Sequence, residues 1–205
     1  MSVADKVSAR ETKRLQTRER LMGAAIAEFK RSGIAAADVG AIVAAAGVAH
    51  GTFFFHFPPT KEHVLLELER REEERIAKQF DRYLADSDRD LESTLNEAVR
   101  LVMGLERRLG ALLFKDFLAL HFFSQTRPPA DESKEHPPVV VAVAREIERV
   151  QQRGHVDPTV IPINSAVFFF LLGLYALLTT THDWPAQRAM IDDYVVRTLR
   201  SIESR

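Results

Sequence analysis

The chain reads as an all-α protein of about nine helices: an N-terminal three-helix unit with a helix-turn-helix, then a larger C-terminal helical unit. Three observations predict this. Apolar residues recur at i, i+3, i+4 and i+7 in successive segments. Glycines and prolines such as Gly33, Gly47, Pro58, Pro138 and Gly154 punctuate those segments. The stretch Asp38 to Phe57, DVGAIVAAAGVAHGTFFFHF, holds two short helical patterns around a glycine-bearing turn.

Composition narrows the function classes. With 205 residues, 46% of them hydrophobic, the chain can bury a substantial core. It has no cysteine, which excludes disulfide scaffolds, cysteine-based zinc sites and thiol nucleophiles. The segment MSVADKVSARETKRLQ lacks the apolar run of a secretory signal, so a cytoplasmic location is expected. The net charge of -1 is uneven: Lys6, Arg10, Lys13, Arg14, Arg18, Arg20, Lys30, Arg31 and Lys61 outnumber six acids before His63, and acids dominate the rest. A basic head on an acidic body suits DNA binding at one end, because phosphate neutralisation supplies most non-specific affinity. A solvated basic face on an ordinary protein gives the same pattern.

Taken in order, residues 1–16 are polar and basic and are expected to be partly disordered, either an arm reaching a groove or backbone or a frayed end. Leu21, Ala25 and Phe29, with Met22 and Ile26, mark the buried stripe of a first helix that Gly33 ends. Asp38 caps the second helix, whose inner face is Val39, Ile42, Val43 and Ala46. Gly47 stops it in the left-handed conformation that glycine adopts without strain. The chain restarts at Ala49, and Phe53 and Phe57, four apart, face back into the same core. In such a pair the second helix lies in the DNA major groove.

From Thr17 to Leu65 the sequence resembles the DNA-binding domain of the TetR family of bacterial transcriptional regulators. TRERLMGAAIAEFKRSG is similar to that family's first helix, AIVAAAGVAHGTFFFHF to its second and third, and KEHVLL to the start of its fourth. The resemblance implies a DNA-binding domain over 1–60, with the basic arm 1–16, and an effector-binding and dimerisation domain over 61–205. It implies that Ala49, His50, Thr52, Phe54, Phe55 and His56 face DNA, with Thr52 and His56 donating to phosphates and His50 placed for a base edge. Phe54 stands where tyrosine is common in the family, so apolar contact with sugar or a thymine methyl replaces a hydroxyl bond to phosphate. Lys61 matches a family lysine expected to meet phosphate, although the link from Phe57 is one residue longer than the commonest pattern. Asp38 stands where the family usually has Ser or Thr; it can cap, but it repels a phosphate.

Beyond this domain, Val64, Leu65, Leu68, Ile76, Phe80, Tyr83 and Leu84 keep helical spacing from Lys61 to about Ala85, around a charged middle, ERREEER, read as a solvated face. That helix can act as a lever. The triplet DSD at 86–88 reads as linker and cap, and Leu91, Leu95, Val99, Leu101, Val102 and Leu105 as a fifth helix. LLFKDFLALHFF reads as a sixth, the Pro-rich stretch between Ser124 and Pro138 as a loop, and VVVAVAREIERVQQ as a seventh. Two helices close the chain, from Pro162 to about His182 and from Pro185 to about Ser204. The apolar run AVFFFLLGLYALL in the first of these is shorter than the roughly 20 residues of a membrane span, so a buried helix is expected. Met103, Phe114, Phe117, His121, Phe168, Leu172 and Tyr175 are the candidate effector pocket, apolar with one polar handle. Gly173, Tyr175, Met190, Tyr194, Thr198, Leu199 and Ile202 are the candidate four-helix dimer interface. Ordinary intrachain core is the competing reading for each of these.

A single helix-turn-helix contacts few base pairs, whereas two at successive groove faces read a palindrome. The expectation is therefore a homodimeric regulator, a repressor at a palindromic operator in double-stranded DNA, released by a small apolar or amphipathic effector, with no cofactor, metal or membrane. An enzyme is the first rival: His121, His155 and His182 could join acids, yet no nucleophile, metal or phosphate-loop spacing is present. The second rival is a helical protein-interaction module whose helix-turn-helix does not bind DNA.

Overall fold

The computed structural model describes residues 3–85, 89–119, 136–180 and 184–204. The described elements are α1 (Val3–Ala36), α2 (Val39–Ala46), α3 (His50–His56), α4 (Glu62–Ala85), α5 (Leu91–Leu109), α6 (Ala111–Ala119) and α7 (Pro138–Gln152). A single helical run then comprises α8 (Pro162–Val167), a π-helical segment (Phe168–Leu174) and α9 (Tyr175–Thr180), and α10 (Trp184–Ile202) follows. With that run taken as one, the described residues hold nine helices and no strand beyond an isolated antiparallel bridge, Val156 to Glu203. The chain divides into two compact units, Met1–Glu69 with Leu109–Asp116, and Arg70–Arg108 with Phe117–Arg205.

In the first unit α1 differs from the expectation of a disordered arm: it is helical from Val3. No Gly or Pro interrupts it before Gly23, and the i,i+3 pair Glu11–Arg14 at 2.6 Å supports the exposed turn. Regular helix stops at Gly33, whose φ of 73° lies in the left-handed region. The freed N–H of Ile34 donates to the Asp116 carboxylate at 2.8 Å. Leu21, Met22, Ala25 and Phe29 are buried, as their spacing predicts.

α2 begins at Asp38, whose carboxylate accepts from the N–H groups of Gly40 (2.8 Å) and Ala41 (3.2 Å), two of the amides a helix start leaves unpaired. It ends at Gly47 (φ 63°, ψ 44°), where Gly47 N–H donates to Ala44 O and Val48 N–H to Val43 O. Ile42, Val43 and Ala46 are buried and Val39 half-buried. The axes of α2 and α3 bend by 95°, the angle of a helix-turn-helix. Phe53 and Phe57 on α3 are fully buried, with ring centroids 5.6 Å apart.

In the second unit α5 carries its predicted stripe inward, from Leu91 to Leu105, and Gly110 (φ 76°) ends it. Its first turn is capped by Asp90, whose carboxylate accepts from Ser93 N–H at 2.7 Å; residues 86–88, the expected cap, lie outside the described residues. Pro138 and Pro162 open α7 and α8 at the first turn, where the missing N–H costs nothing. The run Pro162–Thr180 is longer than its uninterrupted apolar core, because polar flanking residues join the same helix. Its 19 residues, at mean hydropathy 1.8, are long and apolar enough to cross a membrane, and 39% of that stretch is buried within the chain. Phe169, Phe170, Leu174 and Leu178 form the buried part.

Tyr194 of α10 packs on the π-helical segment. The Tyr194 hydroxyl donates toward the carbonyls of Phe168 and Phe169, both at 3.1 Å, and its ring stacks on Phe169 at 5.5 Å. The wider π turn leaves such carbonyls available. Gly173 gives the ring its room, since a Cβ there would overlap the Tyr194 ring.

Two stability changes follow. Asp38→Ala removes the α2 cap and is expected to cost about 1 kcal/mol in denaturant unfolding. Gly173→Ala forces Tyr194 from its seat and is expected to cost about 1–3 kcal/mol, as overpacking does, and Tyr194→Ala in the same chain should recover part of that loss.

Candidate nucleic-acid interface

The geometry of α3 is set by Arg18 on α1. Its guanidinium lies 4.3 Å from the centroid of the Phe57 ring, donates through Nη1 to the carbonyl of His56, and pairs with the Glu67 carboxylate at 3.0 Å. One side chain thus ties α1, α3 and α4 together within the first unit. This bracing fixes which face of α3 turns inward. His56, expected to donate to phosphate, is on that inner face at 7% exposure. The reason is its spacing from Phe53 and its backing by α1, which periodicity in a seven-residue helix does not resolve. Burial pushes the His56 imidazole below its ordinary pKa, and the nearby Arg18 and Arg14 charges push the same way. The ring is held neutral.

The outer face of α3 carries His50 and Gly51, exposed, Thr52, half-buried, Phe54 at 38% exposure and Phe55 at 71%. Phe54 is fixed by ring contacts to His50 (5.7 Å) and Phe53 (5.3 Å), and Phe55 by an edge contact to His56 (5.2 Å). Lys61, also expected at phosphate, is spent differently. Its ammonium donates to the carbonyls of Ala35 (3.0 Å) and Ala37 (2.9 Å), pinning the α1–α2 turn to the start of α4. The basic head is therefore partly consumed inside the unit: Arg14 pairs with Glu11, Arg18 with Glu67, and Arg31 with Glu28. Arg10, Lys13 and Arg20 stay exposed, and with Thr17 they follow one another at helical spacing along α1.

The candidate effector residues differ in where the fold places them. Met103 and Phe117 are buried in the second unit and Phe114 in the first, while His121 lies outside the described residues. Phe168 and Leu172, expected to line an interior site, face outward in the single chain at 56% and 66% exposure, opposite the buried series Ala166, Phe170, Leu174 and Leu178. Of the candidate interface residues, Met190 is exposed at 47%, and Thr198, Leu199 and Tyr194 are half-buried. Tyr175 and Ile202 are buried within the chain, and Gly173 serves Tyr194, so these three are intrachain packing. The sequence reading missed Ile191 and Val195, which with Gln187 form the inward stripe of α10; their spacing of four was the available signal. A half-open cavity of about 420 Å³ in the second unit is lined by Arg89, Leu91, Val150, Val156, Leu199 and Ile202, none of them from the effector set. Among the described residues, no group of three or more His, Asp or Glu is placed to hold a metal ion.

A buried three-helix head, with α2 capped at Asp38 and turned at Gly47 ahead of an exposed aromatic α3, defines a helix-turn-helix unit joined to a helical C-terminal unit. Residues 21–68 match the model of the bacterial regulatory proteins of the tetR family. Its fold is that of a TetR-family transcriptional regulator. It is similar to Thermus thermophilus FadR, a repressor solved in complex with lauroyl-CoA, at 23% identity over 89% of this chain and 91% of that one, with a TM-score of 0.62. It is also similar to the Bacillus subtilis regulator FadR in complex with stearoyl-CoA (15% identity, 89% and 95% covered, TM-score 0.61). A TetR-family regulator from Mesorhizobium loti superposes at TM-score 0.65 with 17% identity, covering 93% and 98%. No curated protein matches the chain.

The His56 environment predicts a pH dependence. The folded pKa is below the ordinary 6.5, so the unfolded chain binds the extra proton more readily. The stability that neutral His56 confers is fully present above pH 6.5 and is lost as pH falls below it toward the folded pKa. Urea titrations across this range should show stability falling on acidification, and His56→Phe should flatten that component while leaving the lower-pH loss from carboxylates such as Glu28.

Proposed function

We propose that the protein is a homodimeric transcriptional regulator that binds a palindromic operator in double-stranded DNA and represses by occupying it. The observation that carries this reading is the outer face of α3: His50, Phe54 and Phe55 are displayed outward, while the inner face is locked by Arg18, Phe53 and Phe57. The stripe Arg10, Lys13, Arg20 supplies the cations for adjoining phosphates. Dimerisation is supported by Phe168, Leu172 and Met190, three large apolar side chains exposed on packed neighbouring helices, a surface that a second copy covers in an isologous contact. The exposed ion pairs Arg188–Asp192 and Arg197–Asp193 fit the polar rim of such a contact.

The effector is a small apolar or amphipathic molecule bound by the C-terminal unit. The acyl-CoA complexes of two proteins of similar fold support this class. By linkage, an effector that prefers a subunit arrangement mismatched to the groove spacing weakens DNA binding, and DNA weakens the effector by the same factor. The location that fits this activity is the cytoplasm, with no membrane, cofactor or catalytic role.

Selection of bound duplexes from a random pool tests the reading directly. A palindromic site with half-site centres about 34–36 Å apart is expected. Its affinity should fall steeply with salt, and Arg20→Ala should reduce the salt slope by about one. Leu172→Glu should yield monomers in sedimentation and lose the palindromic site. A helical interaction module, favoured by the internal commitment of Arg18, His56 and Lys61, is the correct reading if no duplex is enriched.

A further inference from the structure

The base-reading surface has an unusual chemical composition. From Ala49 to Phe57 the chain contains no Arg, Lys, Asn, Gln, Asp or Glu. These are the residues whose paired donors and acceptors tell guanine, adenine and cytosine apart in the major groove. His56 is removed by burial, so the polar groups left on the outer face are His50 and the half-buried Thr52. The dominant exposed group is the Phe55 ring at 71% exposure, with Phe54 beside it at 38%. Phe55 is held from its inner edge by His56, so a ring face remains open.

An exposed aromatic on a short helix is stabilised where it meets apolar surface. On the base edges of the major groove, the apolar group is the C5-methyl of thymine. The exposed cations Arg10, Lys13 and Arg20 are on α1, outside α3, and phosphate contacts from them would carry no sequence information. We propose that α3 recognises its operator chiefly through thymine methyl groups, with Phe55 as the specificity-determining side chain. This rests on the DNA-binding reading above and assigns to it the chemistry of recognition.

The test uses the full-length protein and the duplex recovered by selection. Each half-site thymine is replaced in turn by deoxyuridine, which removes the methyl and keeps base pairing. Burial of one methyl corresponds to about 0.8 kcal/mol, so binding should weaken about fourfold for one half-site and about fifteenfold for the symmetric pair. Phe55→Ala, at an exposed position that leaves the melting temperature unchanged, should bind the thymine and uracil duplexes alike. Equal affinity of wild type for every uracil duplex overturns the proposal while leaving operator binding intact. So does an operator with no thymine in its half-sites, or a thymine preference that survives in Phe55→Ala. Failure to select any duplex removes both this proposal and the function it rests on.

Discussion

One guanidinium organises the helix-turn-helix unit. Arg18 leaves α1, stacks on Phe57, holds the carbonyl at the end of α3 and ends at Glu67 on α4. A partly buried cation is costly unless each of its faces is satisfied, and here the ring, the carbonyl and the carboxylate satisfy them together. Because those partners come from α3 and α4, satisfying the charge and orienting the helices are the same event. The inward assignment of His56 and Phe57, and the outward display of Phe54 and Phe55, follow from it.

The same economy explains how the charge of the head is distributed. A count of cations reads them all as available to phosphate. The fold consumes Arg18 and Lys61 internally, one on an aromatic ring and a carboxylate, the other on two carbonyls between α1 and α2. Buried carbonyls need donors, and a long flexible amine supplies them where helical hydrogen bonds have ended. The cations that the packing leaves exposed are then those on α1, and the outer face of α3 has almost no polar side chains.

In the second unit the corresponding organiser is Tyr194. Its hydroxyl meets two carbonyls of the π-helical segment and its ring fills the space above Gly173. Along the run the i, i+4 series Ala166, Phe170, Leu174 and Leu178 turns inward together with Phe169, and Phe168 and Leu172, also four apart, turn outward on the opposite face.

The sequence by itself determined the order of the described helices, several of their ends, and the existence of the helix-turn-helix. These depend on local chemistry: the Asp38 cap, the left-handed Gly47, the prolines that open α7 and α8, and the i, i+3, i+4 spacing of Leu21, Phe29 and Ile42. Each acts within a few residues, so each is written in the chain. Which side of a short or uniformly apolar helix faces inward was decided only by tertiary structure. His56, Lys61, Phe168, Leu172 and Tyr175 took their places because partners distant in sequence outweighed their own chemical character.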